Sequence, residues 1–129
     1  MSKKKIRLAI FDVNQTIFNF NEIKNRFKQK KINPLLVNQW FINTLKEGFA
    51  SSTPKNFLSF TEIAKEELKK LIIQKKKDPQ ILKFLFSGFK NLKANHDIKN
   101  SFRILRKQNI KIATLTNGPK KNSINLLKK

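Results

Sequence analysis

The chain has no cysteine. It therefore holds neither a disulfide framework nor a thiolate metal site, and the cytoplasm is the default compartment. Its single histidine, His96, stands in a polar stretch beside Asp97. A lone imidazole without a second His or Cys is a poor metal-ligand set, so no metal and no cofactor is expected and His96 is assigned to the surface. No stretch approaches the ~20 apolar residues that a membrane span needs, and no membrane partner is expected. The opening Met1-Ser2-Lys3-Lys4-Lys5 is basic, but the apolar run behind it is too short for a secretory signal.

Acidic residues are scarce as well. Only 8 Asp and Glu stand against 29 Lys and Arg, giving a formal net charge of +21. Such a balance suits phosphate-backbone binding, and a basic nucleic-acid-binding protein without catalysis is the alternative reading of the chain. Three observations weigh against nucleic acid as the partner. Arg, the residue suited to bidentate phosphate and base contacts, is limited to Arg7, Arg26, Arg103 and Arg106. The lysines are spread along the sequence rather than gathered in one tail. The joint richness in Lys, Asn, Ile and Phe is also what the base composition of a gene can impose.

What is present is enough for one domain. At 129 residues and 39% hydrophobic content, a modest core can be buried. The run Leu8-Ala9-Ile10-Phe11 has the β-branched and aromatic character of a strand buried on both faces, and it ends in a carboxylate, Asp12. Ligands of open parallel sheets sit beyond the carboxyl ends of the strands. Asp12 is thus placed where a reacting group belongs, and Asn14, Gln15 and Thr16 supply hydrogen-bonding groups around a bound anion. The same residue types also make ordinary turns. A second run, Ile110 to Leu115, reads as another strand and ends in Thr116-Asn117-Gly118-Pro119, whose hydroxyl, amide and glycine suit an oxyanion, though this too is common turn chemistry.

Between these strands the pattern is helical. Ile23 and Phe27 stand four apart before the charged Lys28 to Lys31. Pro34 opens a helix whose broad apolar face carries Leu36, Val37, Trp40, Phe41, Thr44, Leu45 and Phe49, fraying at Gly48; Trp40 and Phe41 are read as core. The stretch 50–54 is loop by composition. Ser59 and Glu62 have capping-box spacing ahead of a helix that runs to Lys75-Lys76-Lys77. Asp78-Pro79 signals one more start, for a helix bearing Ile81, Leu82, Leu85, Phe86 and Phe89. Asp97 can cap one more helix whose Ile98, Phe102 and Leu105 face the sheet, and Asn109 ends it. The segment from Asn122 to Leu127 begins a further helix.

Taken in order and a hundred residues apart, Phe11-Asp12-Val13-Asn14-Gln15-Thr16 and Leu115-Thr116-Asn117-Gly118 resemble the first two motifs of the haloacid dehalogenase superfamily, in its L-2-haloacid dehalogenase-like branch. The resemblance implies an α/β, Rossmann-like core with a helical cap inserted after the first strand. Residues 1–19 would form the first core strand and nucleophile loop, 20–90 the cap, and 91–129 the return to the core. It implies Asp12 as nucleophile assisted by Thr16, with Asn14, Thr116, Asn117 and Gly118 binding a small acidic substrate. Two departures stand out. Trp40 is followed by Phe41 where the dehalogenases carry a halide-holding Arg nearby, and the family's third and fourth motifs, a Lys and then acidic residues, would lie downstream of Lys129. The core is therefore expected to be partial and the 129-residue chain poorly active or inactive, with a thin sheet whose exposed edge a homodimer could pair.

The chemistry follows from residue types. Phosphatases of the superfamily carry an acid two residues after the nucleophile, because an alkoxide leaving group needs a proton. Asn14 occupies that position and cannot supply one. A halide leaves without protonation, so the pattern favours displacement at a carbon–halogen bond.

Overall fold

The computed structural model describes residues 3–51 and 58–129. Eleven elements follow one another in the described residues. Strand β1 (Leu8–Asp12) and the short β2 (Phe18–Asn19) lead into helices α1 (Asn21–Gln29), α2 (Leu36–Ala50), α3 (Phe60–Gln74) and α4 (Ile81–Phe86). A 3₁₀ turn (Ser87–Asn91), β3 (Lys93–Ala94), α5 (Ile98–Lys107), β4 (Lys111–Leu115) and α6 (Lys120–Leu127) complete the order. The expected loop at 50–54 lies mostly outside the described residues, with Ala50 itself closing α2.

β1 and β4 pair in parallel, Leu8 against Lys111 through Asp12 against Leu115. Partnered residues of a ladder share a face. One face carries Ala9, Phe11, Ile112 and Thr114, and α5 covers it, with the Phe11 and Phe102 ring centroids 5.1 Å apart. The other face is bare. Leu8 is 49%, Ile10 62% and Leu115 72% exposed, so the expectation of a strand buried on both faces fails. The physical reason is that a two-stranded sheet with a single covering helix has nothing to seal its second side.

The dense core lies in the helical unit instead. Phe27, Ile23, Leu68, Leu85, Val37, Trp40 and Ile72 are essentially inaccessible, and they form one cluster with Val13, Ile17, Phe18 and Phe20 from the segment after β1. Trp40 donates its indole N–H to the Ala64 carbonyl at 2.9 Å and stacks edge-on against Phe89, which makes it core as read. Phe41 is half-buried between Phe20 and Phe60. Two details of α2 differ from the pattern. Phe49 is 72% exposed, and the helix passes Gly48 to end at Ala50, because Gly48 sits against Ile63 of α3 and packing outweighs its weak helix propensity.

Polar contacts knit the helices. Arg26 pairs with Glu22 at 2.8 Å and reaches the Phe84 carbonyl at 2.8 Å and the Ser87 hydroxyl at 2.7 Å. That hold brings α1 so close to the 3₁₀ turn that a Cβ on Gly88 would lie 3.1 Å from Arg26 and Ile23 atoms, a close approach that suits glycine there. Asn109 takes a left-handed φ of 56° to end α5, as its residue type allows. Asp97 stands at the N-cap of α5, but its side chain makes no capping bond there. The capping box of α3 is complete: Ser59 N–H and hydroxyl donate to the Glu62 carboxylate at 2.8 and 2.7 Å, and Glu62 N–H returns to the Ser59 oxygen at 3.3 Å. The Ser59 hydroxyl, followed by its backbone amide, draws the Glu62 pKa below its ordinary 4.5.

This distribution of burial makes Leu68→Ala cost about 2–5 kcal/mol while Ile10→Thr changes stability by under about 0.5 kcal/mol, as read from urea unfolding. Because the folded-state pKa of Glu62 is depressed, its contribution is present above the unfolded value of about 4.5 and is lost as the pH falls through the lower folded value. Acid titration of helicity between about pH 5 and pH 3 should therefore be less steep in Ser59→Ala.

Candidate active site

The carboxyl rim of the parallel pair gathers the residues singled out in sequence. Asp12 is the last residue of β1 and its side chain is exposed. The loop behind it is tied in a knot: the amides of Ile17 and Phe18 converge on the Val13 carbonyl at 3.0 and 3.1 Å, and Gln15 N–H donates to the Phe18 carbonyl at 2.8 Å. Val13, Ile17 and Phe18 are buried beneath it. With the apolar side chains anchored below, Asp12 and Thr16 face outward, and the Thr16 hydroxyl donates to the Asp12 carboxylate at 3.1 Å. Gln15 takes a left-handed φ of 64° at the crest of the turn, a conformation a β-carbon disfavours and one that surrounding contacts must hold.

The register sets Leu115 opposite Asp12, so Thr116 lies one residue beyond the level of the carboxylate. Gly118 N–H donates to the Thr116 hydroxyl at 3.0 Å. A β-carbon on Gly118 would stand 3.4 Å from that hydroxyl and 3.6 Å from the Asn14 amide nitrogen, which places Asn14, Thr116 and Gly118 within one small neighbourhood. Asn14 and Gly118 line a cavity of about 190 Å³ walled by Phe60, Phe86 and Phe89, with Ser87, Lys90 and Ser123 as polar points. Asn117 is exposed and lines a different cavity, of about 230 Å³, against Thr44, Leu45 and Ile63 of the helical unit. Phe60 is a wall of both.

One residue of the site had no signal in sequence. Asn95, just after β3, donates its side-chain amide to the Thr16 carbonyl at 2.8 Å and its backbone N–H to the Ile17 carbonyl at 2.8 Å, while Asn19 donates to its side-chain oxygen at 3.3 Å. It clamps the Asp12 loop from 79 positions away, beside the two-residue antiparallel pairing of β2 with β3. Only the polar stretch from Asn95 to Asp97 hinted at a turn. His96 is exposed, as read. Among the described residues no group of three His, Cys, Asp or Glu side chains could hold a metal ion, and no helix is long and apolar enough to cross a membrane.

No family model matches the chain, and no curated protein matches it in sequence. Solved structures do match. A dehalogenase superposes with a TM-score of 0.85 at 19% identity, over 98% of this chain and 58% of that one. The L-2-haloacid dehalogenase from Xanthobacter autotrophicus gives 0.81 at 16% identity, over 96% of this chain and 51% of that one, and it has also been solved with chloropropionic acid covalently bound. Another L-2-haloacid dehalogenase gives 0.83 at 17% identity, over 92% and 56%. The chain spans between about half and three fifths of the length of these enzymes. Over that span the chain shares the α/β fold of these dehalogenase structures.

Proposed function

We propose that this rim carries out nucleophilic displacement of halide from a small 2-haloacid, with Asp12 as the nucleophile. The observation that carries the reading is the exposed Asp12 carboxylate at the end of a parallel strand, oriented by the Thr16 hydroxyl at 3.1 Å and followed by Asn14 in place of an acid. A carboxylate is a weak nucleophile that becomes effective when it is held in line with a good leaving group. One Asp12 oxygen would attack the carbon bearing the halogen. A carbon–oxygen bond forms, the carbon–halogen bond breaks, and halide departs with the electron pair. Water attacking the ester carbonyl would then release the 2-hydroxy acid and restore the carboxylate. A phosphate ester would instead demand a proton for its alkoxide, and the Asn14 amide has none to give as an acid does.

The cavity beside Asn14 and Gly118 supports a small substrate. Its volume of about 190 Å³ is below the ~300–1,000 Å³ of pockets for drug-sized ligands. Its three phenylalanines suit an alkyl chain and Lys90 suits a carboxylate. Thr116, hydrogen-bonded to Gly118, would complete the polar rim, Asn117 lying in the separate cavity, and the helices α1–α4 would act as a cap that excludes water during displacement. Asp12 does not itself line this cavity, which its loop adjoins through Asn14, and no other carboxylate and no imidazole lines it to activate water. The ester should therefore form faster than it is cleaved.

That imbalance makes the intermediate itself the readout. Incubation of the chain with 2-bromopropionate should leave a single adduct, seen by intact mass and mapped to the peptide containing Asp12, together with about one equivalent of bromide. Asp12→Asn should give neither product, and an adduct on any other residue, or none, would sink the assignment. Asn95→Ala should slow adduct formation by about tenfold, equivalent to about 1.4 kcal/mol, because the loop that aims Asp12 loses its clamp.

A further inference from the structure

The carboxyl rim is not the only place where the fold gathers charge. In sequence the cations look dispersed, yet the acids are not distributed like them. From Ile98 to Lys129 there are nine Lys and Arg and no acid, and from Lys3 to Phe11 there are four cations and no acid. Six of the eight acids lie between Glu22 and Asp78, in the helical unit, and Asp97 precedes α5. The parallel pairing of β1 with β4 brings the two acid-free stretches together. Lys111 N–H donates to the Arg7 carbonyl at 2.9 Å, and Arg106 lines one groove with Lys99, Arg103 and Lys107 and another with Lys111. Arg7, Lys99, Arg103, Arg106, Lys107 and Lys111 are all exposed. Three of the four arginines thus stand on this side of the molecule, Arg7 at the amino end of the sheet, five strand residues or roughly 16 Å from Asp12.

We infer that this surface, the outer face of α5 with the first residues of β1 and β4, is a second site that binds double-stranded nucleic acid through its phosphates. Lys99, Arg103 and Arg106 are spaced i, i+4 and i+7, which sets them on one helix face. Guanidinium groups make the bidentate contacts that phosphate geometry favours. The ion pairs among the described residues, Arg26 with Glu22 and Lys70 with Glu67, lie elsewhere, so these cations are not neutralised within the chain. The helix dipole accounts for Arg106 and Lys107 in the last turn of α5, but not for Lys99, Arg103, Lys111 or Arg7.

The composition of the face separates the possible partners. Single strands are gripped by stacking on exposed aromatic rings, and the one aromatic ring of α5, Phe102, lines the basic groove but is half-buried and engaged by Phe11 rather than exposed. Interfacial membrane helices set a broad apolar face against the basic one. On α5 the apolar side is turned to the sheet, with Ile104 exposed among the cations, while Ile6 and Leu8, exposed beside Arg7, lie at and just before the start of β1 and not on a helix face. Backbone contact to a duplex needs neither feature and reads no sequence.

The test is fluorescence anisotropy of the 129-residue chain with a labelled DNA duplex of about 20 base pairs, titrated between about 0.05 and 0.2 M salt. With about five phosphate contacts, the logarithm of affinity should fall against the logarithm of salt with a slope near −4.5, and the Kd near physiological salt should be about 10⁻⁵ M. The triple variant Arg103→Gln, Arg106→Gln, Lys107→Gln should lose at least about tenfold and flatten the slope by about 3. A charge-matched control in the helical unit, Lys46→Gln, Lys69→Gln, Lys75→Gln, should stay within about twofold, and Asp12→Asn should bind as the parent does. Helical circular dichroism identifies any variant that fails to fold, in which case Arg103→Gln alone takes its place, with a slope change near 1. Equal losses in the two triple variants would mean diffuse attraction and overturn the site. Absence of binding at ~0.15 M salt, or tighter binding to phosphatidylserine vesicles than to the duplex, would overturn it too.

Discussion

Everything at the carboxyl rim depends on one pairing, β1 against β4 in parallel, residue for residue from Leu8 to Asp12 and Lys111 to Leu115. Parallel strands need a crossover between them, and here the crossover is most of the chain. Closing a loop of that length costs entropy that five ladder positions alone would not offset. The closure is held from elsewhere: by the helical cluster that takes in Val13, Ile17, Phe18 and Phe20 directly after β1, and by α5, which packs Phe102 on Phe11 and feeds straight into β4. Both candidate sites exist because of that closure. One end of the pair presents Asp12 and Thr116, and the other presents Arg7 and Lys111.

The distribution of burial is uneven in an instructive way. The strands β1 and β4 that position the chemistry contribute nothing to the buried core, and the helices that contribute most of it carry no residue proposed as nucleophile. Stability and reactivity are thus divided between two parts of the chain, linked through the segment from Val13 to Phe20. That segment is apolar on its underside and reactive on its upper side. The left-handed Gln15 and the Asn95 clamp are what the division requires locally: a short turn must bury alternate side chains and still hold a carboxylate outward.

The bare apolar face of the sheet belongs to the same picture. Leu8, Ile10 and Leu115 are the residue types that parallel sheets bury on both sides, yet here they meet solvent. The dehalogenases that superpose on this chain are longer, with between 51% and 58% of their length matched. Among the described residues nothing covers this face.

Much of this was legible in the residues. The alternation of apolar and polar positions, the Ser59–Glu62 box and the Asn109 stop located α1, α2, α3, α5 and β4 to within a few residues, because each rests on interactions between near neighbours in sequence. The two motifs, Asp12 to Thr16 and Thr116 to Gly118, were visible for the same reason: a reacting group after a strand is a local pattern. What stayed hidden was everything set by distant partners. One-sided burial of β1, the β2–β3 pairing, the Asn95 clamp, the separation of Asn117 into its own cavity and the gathering of three arginines on one side all depend on residues tens of positions apart. Sequence spacing constrains which side of an element a residue occupies, but only the packed chain decides what, if anything, lies across from it.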